Sequence, residues 1–435
     1  MRVSSAKTRA VDTAPATLAA LPDDELLETV QRQTFRYFWE AAHPDSGLAF
    51  DRRTSGKRAS LDSQIGIGGS GFGVMALIVA VERDWVTRVA ALERLGRMLD
   101  LLARARRYHG AFPHFMNGRT GETIPFSPDD DAADIVETSF LMMGLLCARE
   151  YFDRDTRAEA KARSQITSLW HGVEWTWFTR GGREVLYWHW SPTHGWAMDH
   201  AIRGWNECLI TYLLAASSPS HPIEPAVYTE GFASNGRFRN DKSWYGIELP
   251  LGMAYGGPLF FAHYSFCGLD PRGLVDRYAD YWDQNVRHVR INRAHCVANP
   301  GRFEGYGESC WGLTASDDPG GYSAHAPDND NGTISPTAAL ASLPYAPTDV
   351  LAVLRHFLTR HGKRLWRELG FVDAFCESRG WYADTFLAID QGPIVLMIEN
   401  HRTGLLWKLF MSVPEVQAGL RRLGFSSPSL EAAEK

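Results

Sequence analysis

Four carboxylates in this chain have the neighbours and spacing that acid–base chemistry requires. Glu207 closes the run Gly204-Trp205-Asn206-Glu207 and opens the apolar stretch Cys208-Leu-Ile-Thr-Tyr-Leu-Leu214. An acid at the head of such a stretch sits partly out of water, which raises its pKa and keeps it protonated, as a proton donor must be. Asp390, in Ala388-Ile-Asp390-Gln-Gly392-Pro393, stands at the lip of a helix opened by Gly392-Pro393. The positive helix end favours an ionised group there, so a lowered pKa, suited to a base, is expected. Asp134 and Glu137 are three apart and share one helical face, with helix capping as their plain structural role. A proton donor and a base set about one bond are what hydrolysis of a glycosidic linkage needs.

The surroundings suit a sugar. Seven tryptophans fall between Trp170 and Trp205, and an indole offers a broad apolar face with one N–H donor, which matches a pyranose ring and its hydroxyl edge. Trp205, Tyr245, Trp311, Asp317, His325, Asp330 and Arg402 lie in polar-aromatic loops or beside the acidic motifs. They are the candidates for holding neighbouring sugar units.

Composition narrows the rest. The 435 residues are 45% hydrophobic and 22% charged, enough to bury a large core, and the aromatic share of 12% comes from 22 Phe, 15 Tyr and 15 Trp. Net charge is −6, and no Lys/Arg run supplies a footprint for nucleic acid or a membrane surface. A neutral oligo- or polysaccharide fits better. The six cysteines are scattered without a C-x-x-C, so neither a zinc site nor a disulfide framework is indicated. His189, His194 and His200 fit no familiar ligand spacing and read as partners for sugar hydroxyls. No metal and no cofactor is expected. Gly66-Ile-Gly68-Gly-Ser-Gly71 matches a dinucleotide fingerprint, but Ser60–Gln64 does not read as a buried strand and no βαβ unit follows. A close-packed helix entry is the expectation. The basic N-terminus leads into Val-Asp-Thr-Ala-Pro with no apolar core, and no run of 18 apolar residues occurs. As written the chain reads as cytoplasmic, and as periplasmic or secreted if its true N-terminus differs.

The elements that must position these residues are mostly helices. Periodicity predicts a first helix from about residue 22, then helices near 71–83, 86–106, 133–152, 156–178, 199–216, 257–268, 272–289, 335–343, 348–361, 392–411 and 414–423. Long Gly/Pro/Asn/Asp-rich loops separate them at 108–130, 180–198, 217–255 and 296–334, lengths that usually build sites. Short strand signals at 183–188 and 109–115 suggest small hairpins. About twelve helices in successive pairs suggest an all-α (α/α)6 toroid with a loop-built cleft, and two stacked helical subdomains also fit. Residues 1–20 and 426–435 read as tails around one domain, 21–425, in a monomer or weak homo-oligomer.

Four motifs in consistent order, Ala133-Asp-Ile-Val-Glu-Thr-Ser-Phe140, Gly204-Trp-Asn-Glu-Cys-Leu-Ile210, Cys310-Trp-Gly-Leu-Thr-Ala315 and Ala388-Ile-Asp-Gln-Gly-Pro393, resemble the bacterial endo-β-1,2-glucanases of glycoside hydrolase family 144, also called the glycoamylase-like domain. The resemblance spans roughly 21–425. It implies a single (α/α)6 barrel and metal-free hydrolysis with inversion of β-1,2-glucan or its sophoro-oligosaccharides. It also implies that Glu207 is the general acid, that Asp390 is the base, acting on water directly or through a substrate hydroxyl, and that Asp134 and Glu137 are acidic residues of the site. The rival readings are a hydrolase or transglycosidase of another linkage, and a glucan-binding protein without turnover.

Overall fold

In the computed structural model, which describes residues 14–432, two kinds of helix alternate. Ile67–Glu82, Ile135–Tyr151, Leu209–Ser217 and Ala388–Arg402 are buried on nearly every side, and a helix apolar all round can only be interior. Asp23–Trp39, Arg88–Arg104, Arg157–His171, Pro347–His356 and Pro414–Leu423 each carry one buried apolar stripe and a charged face. These cover the interior helices. Side-chain caps fix several starts: Thr87 accepts from the Ala90 amide, Thr156 from Glu159, and Asp134 from Val136 and Glu137.

The interior helices meet through glycine. A Cβ placed on Gly71 would lie 2.3 Å from the Phe140 carbonyl oxygen, and one on Gly144 would lie 2.2 Å from the Gly71 carbonyl oxygen. Helices 67–82 and 135–151 therefore touch backbone to backbone along this seam. Residues 60–63 are loop and turn, as expected, and a short strand, Gln64–Gly66, leads into the glycine run. It pairs antiparallel with Phe115–Asn117, and no parallel crossover follows, so the glycines serve packing.

The strands among the described residues form small sheets of two or three strands, none closed. The strand near 183–188 is displaced: His189–Trp190 pairs with Ala133–Asp134, and Tyr187 contributes one bridge to Ala201. Residues 199–208 are loop and turn rather than helix, and 257–268 holds two short 3-10 turns, Leu259–Ala262 and Ser265–Cys267. The helix expected at 272–289 runs instead over Tyr281–Ala298, because Asp276 accepts from the Tyr278 and Ala279 amides and holds a turn there until Asp280 caps the helix.

Neither end is wholly a tail. Pro15–Leu18 is helical, Leu18 is buried, and Arg355 donates to the carbonyls of Ala19 and Leu21. At the other end Ser426 pairs with Val275, and Leu430 of the helix Pro428–Ala432 is buried. Residues 1–13 and 433–435 of the expected tails lie outside the described residues. Among the described residues no helix is long and apolar enough to cross a membrane.

Candidate active site

The N-terminal ends of the four interior helices converge. Beside them a cavity of about 500 Å³ opens, lined among others by Glu137, Glu207, His114, Trp188, Tyr264 and Tyr322, a size usual for ligand pockets. Helix N-termini carry partial positive charge and unpaired amides, so this is where acidic groups are best placed. Gly68, at the first turn of 67–82, donates its amide to Glu137 Oε2 at 2.6 Å.

Asp134, wholly buried, caps its helix with Oδ1 and sets Oδ2 3.0 Å from His114 Nδ1. Burial works to raise the Asp134 pKa, but the hydrogen bond and charge of His114, with His189, hold it below the ordinary value. Burial likewise opposes charge on His114, yet Glu137 and Asp134 overcome it and hold the imidazole up to about 9. Glu137 is pushed up to about 7 by burial and then by Asp134, against the pull of His114. Asp130, buried 3.3 Å from His189 Nε2, is also raised to about 7 by burial and by Asp134. His114, Asp130 and Asp134 have the composition of a cation site, but the imidazolium already supplies the positive charge the carboxylates need.

Glu207 sits in the turn before helix 209–217, whose start is held by Ser265, donating to the Glu207 carbonyl at 2.5 Å and accepting from the Ile210 amide. Its half-buried carboxyl faces the cavity and is raised to about 7, chiefly by burial, with Asp134 and Glu137 adding to it. Arg203 is exposed and turned to the Glu230 carbonyl, so it does not neutralise Glu207.

Asp390 lies one layer behind the wall formed by Ala388 and Ile389, and is 1% exposed. Its pKa is raised well above the ordinary value, first by burial and then by Asp373. The lowered pKa expected from the helix end is overruled, since burial beside a second carboxyl outweighs half a helix charge. Asp373 is itself raised to about 7 by burial and then by Asp317. Asp390 Oδ2 and Asp373 Oδ1 have no other hydrogen-bond partner among the described residues, and two buried carboxyls in contact hold one proton between them. Tyr264, on the cavity wall, points its hydroxyl at Asp390 Oδ1 from 3.5 Å. Asp373 Oδ2 accepts from the Asp317 amide at 2.7 Å, and Asp317 Oδ2 accepts from Arg52 and Thr385 at 2.5 Å.

The residues expected to hold neighbouring sugars scatter. Asp317 lines a smaller hollow of about 240 Å³ that shares Arg52 with the main cavity. Trp311 has no exposed surface and Trp205 is packed against Phe266 and Tyr281, so both are core, where no sugar reaches. Tyr245 is exposed at a hairpin turn but bonds His295, which bonds Asp330 in turn, a chain that ties loops together. His325 is buried beside Asp318. Arg402, at the far end of the Asp390 helix, pairs with Glu28. Of the seven tryptophans only Trp188 lines the cavity, with His200 stacked on it. His194 lies near Asp131. His114, Asp373, Tyr264 and Tyr322 escaped the sequence reading: the first three are remote in sequence from the acids they meet, Tyr322 faces Asp317 across a hairpin, and none sits in a periodic motif.

The chain is similar to several known proteins. A family model described as "Putative glucoamylase" matches residues 199–414. An exo β-1,2-glucooligosaccharide sophorohydrolase (non-reducing end) of Parabacteroides distasonis is 43% identical over 432 residues, covering 94% of this chain and 59% of that protein. The chain thus spans about three fifths of the length of this curated relative. A crystal structure of a "putative glucoamylase" from Bacteroides uniformis superposes with a TM-score of 0.91 at 57% identity, covering 94% of this chain and 99% of that one. The endo-β-1,2-glucanase of Chitinophaga pinensis, in complex with sophorotriose and glucose, superposes with a TM-score of 0.92 at 49% identity, covering 94% and 100%.

Proposed function

The chain belongs to the family of these bacterial glucoamylase-like proteins and β-1,2-glucanases, and from that premise we propose that it hydrolyses β-1,2-glucan or its sophoro-oligosaccharides with inversion. One observation carries the reading: a glutamic acid held near pKa 7 faces an aromatic-walled cavity that also holds Glu137 at a helix N-terminus. Glu207, protonated, donates to the glycosidic oxygen as the bond loosens toward an oxocarbenium-like state. Asp390 takes the proton of the attacking water. Because Asp390 lies behind the wall, that proton travels through a hydroxyl, and Tyr264 offers a route from the cavity. The Asp134–His114 ion pair keeps its charge internal and leaves Glu137 free to hold sugar hydroxyls. Trp188 and Tyr322 supply flat faces for the rings.

We read the helical body as an (α/α)6 toroid. The interior segments 67–82, 135–151, 209–217, 259–267, 336–340 and 388–402 follow one another round a ring. Packing joins 67–82 to 135–151 and to 388–402, 135–151 to 209–217, and 336–340 to 388–402. Hydrogen bonds from the Ile210 amide to Ser265 Oγ and between His263 and Ser342 support the remaining two contacts.

The test is product analysis on linear β-1,2-glucan, with the anomer followed by polarimetry. Release of sophoro-oligosaccharides as the α-anomer is expected. Retention of the β-anomer would refute inversion, cleavage of other glucans only would refute the substrate, and binding without cleavage would favour the non-catalytic alternative.

A further inference from the structure

Away from the cavity, Cys310, His356 and His361 each bring one ligand atom to within 4.8 Å of the other two. They come from two elements. Cys310 sits in the long loop after helix 281–298, while His356 ends the helix Pro347–His356 and His361 ends the wide turn that follows it. Cys310 is 2% exposed and His361 4%. The Nε2 atoms of both histidines are buried with no hydrogen-bond partner among the described residues. Buried polar atoms rarely stay unpaired, so two in one spot call for a reason. Tyr382 bonds His361 Nδ1 at 2.8 Å, which orients the ring and leaves Nε2 as its free ligand atom. Facing that atom, Glu377 Oε2 stands 3.6 Å away, while its Oε1 is held by Arg360.

We propose that Cys310, His356, His361 and Glu377 bind a divalent cation of the zinc class as a four-coordinate structural site. Sulfur, two imidazole nitrogens and one carboxylate oxygen are the donors such a cation takes in tetrahedral sites. Bonds of about 2.0–2.3 Å place ligand atoms roughly 3.3–3.8 Å apart, so Cys310, His356 and His361 would draw in from within 4.8 Å, and Glu377, 3.6 Å from His361 but outside that cluster, would turn toward it. The charges balance: the thiol loses its proton to solvent on binding, and one thiolate with one carboxylate neutralise the cation, as a buried site requires. The hydrogen bond from Tyr382 is the kind of outer support that metal-binding histidines have. Cys310 is free of any disulfide.

The position gives the site a purpose. Cys310 precedes Asp317 by seven residues and Glu377 follows Asp373 by four, and Asp317 and Asp373 are joined by a hydrogen bond. A cation here would staple together the two segments whose carboxyls surround Asp390. None of its four ligands lines the cavity, so it would add stability to these segments without touching substrate.

The full chain, stripped with chelator and dialysed, is titrated with Zn²⁺ and with Co²⁺. One equivalent of zinc per chain and a Tm raised by several degrees are expected. Cobalt should give a thiolate charge-transfer band and the intense visible bands of four-coordination, a readout needing no variant. Cys310→Ser should lose the charge-transfer band, and His361→Ala should lose at least tenfold in affinity. Absence of bound metal in the wild type, or cobalt bound without the thiolate band, would overturn the proposal. So would full binding by Cys310→Ser, which would point to His114, Asp130 and Asp134 instead.

Discussion

Replacing Glu207 by Gln keeps the size and hydrogen-bonding capacity of the side chain and removes its proton. General acid catalysis supplies about 10²–10⁴-fold, so turnover of β-1,2-glucan should fall by that factor, or about 3–5 kcal/mol in the barrier. The same change has an opposite effect on stability. A carboxyl raised from 4.5 to about 7 corresponds to a limit of about 3 kcal/mol, and water in the cavity reduces this to roughly 1–2 kcal/mol. The sign follows from the raised pKa: the folded state binds the proton more tightly, so this contribution is full below pH 4.5 and is lost as pH rises through 7. Glutamine does not titrate. The variant should therefore match the wild type near pH 4.5 and exceed it at pH 8, by a few degrees in Tm. Melting curves at several pH values, with reducing-sugar release and calorimetric binding of a sophoro-oligosaccharide at pH 7, measure all three. A Tm difference that does not change between pH 4.5 and 8 would refute the raised pKa. Turnover within tenfold of wild type would show that the proton comes from elsewhere, with Glu137 the next residue to replace.

Asp373→Asn removes a negative charge beside Asp390, so the acidic limb of the kcat/KM profile should move to lower pH; a limb that stays in place would mean the two carboxyls share no proton. His114→Gln keeps a donor but removes a charge. His114 is raised from 6.5 to about 9, so the wild type's advantage should be full below pH 6.5, at a limit of about 3 kcal/mol, and vanish above pH 9 in urea unfolding. Trp188→Ala should raise KM about tenfold with kcat little changed, since stacking binds the substrate and transition state alike; a loss confined to kcat would contradict that role. Chelator should leave the initial rate at 25 °C unchanged, because the proposed cation ligands lie off the cavity, and a rate restored only by added metal would place a cation among His114, Asp130 and Asp134.

Local pattern exposed some of this architecture, and the remainder depends on distance along the chain. The helix at Ile135–Tyr151 was legible because Asp134 caps it and an unbroken apolar run follows. Glu207 was legible as an acid entering an apolar stretch, although the helix begins only at Leu209. Asp390 was legible as a residue, but not its raised pKa, because Asp373 arrives from a loop seventeen residues earlier. Trp205 and Trp311 show why tryptophan alone misleads: the indole that stacks on a sugar also fills a core, and only tertiary packing separates the two. The histidines near Cys310 carried no signal either. Their spacing matches no linear ligand motif, since a helix end and a distant loop bring the donors together.

The seam of Gly71 and Gly144 has a consequence for how such a pocket can diversify. Two interior helices here are gauged by missing side chains, and one methyl group would force them apart by about 1 Å to restore ordinary contact. Gly68, whose amide holds Glu137, rides on the same helix as Gly71, so that wedge would also shift an acid in the cavity. The bore of the pocket is thus written at positions no ligand ever meets. The diameter is held by two residues that contribute only their absence of bulk.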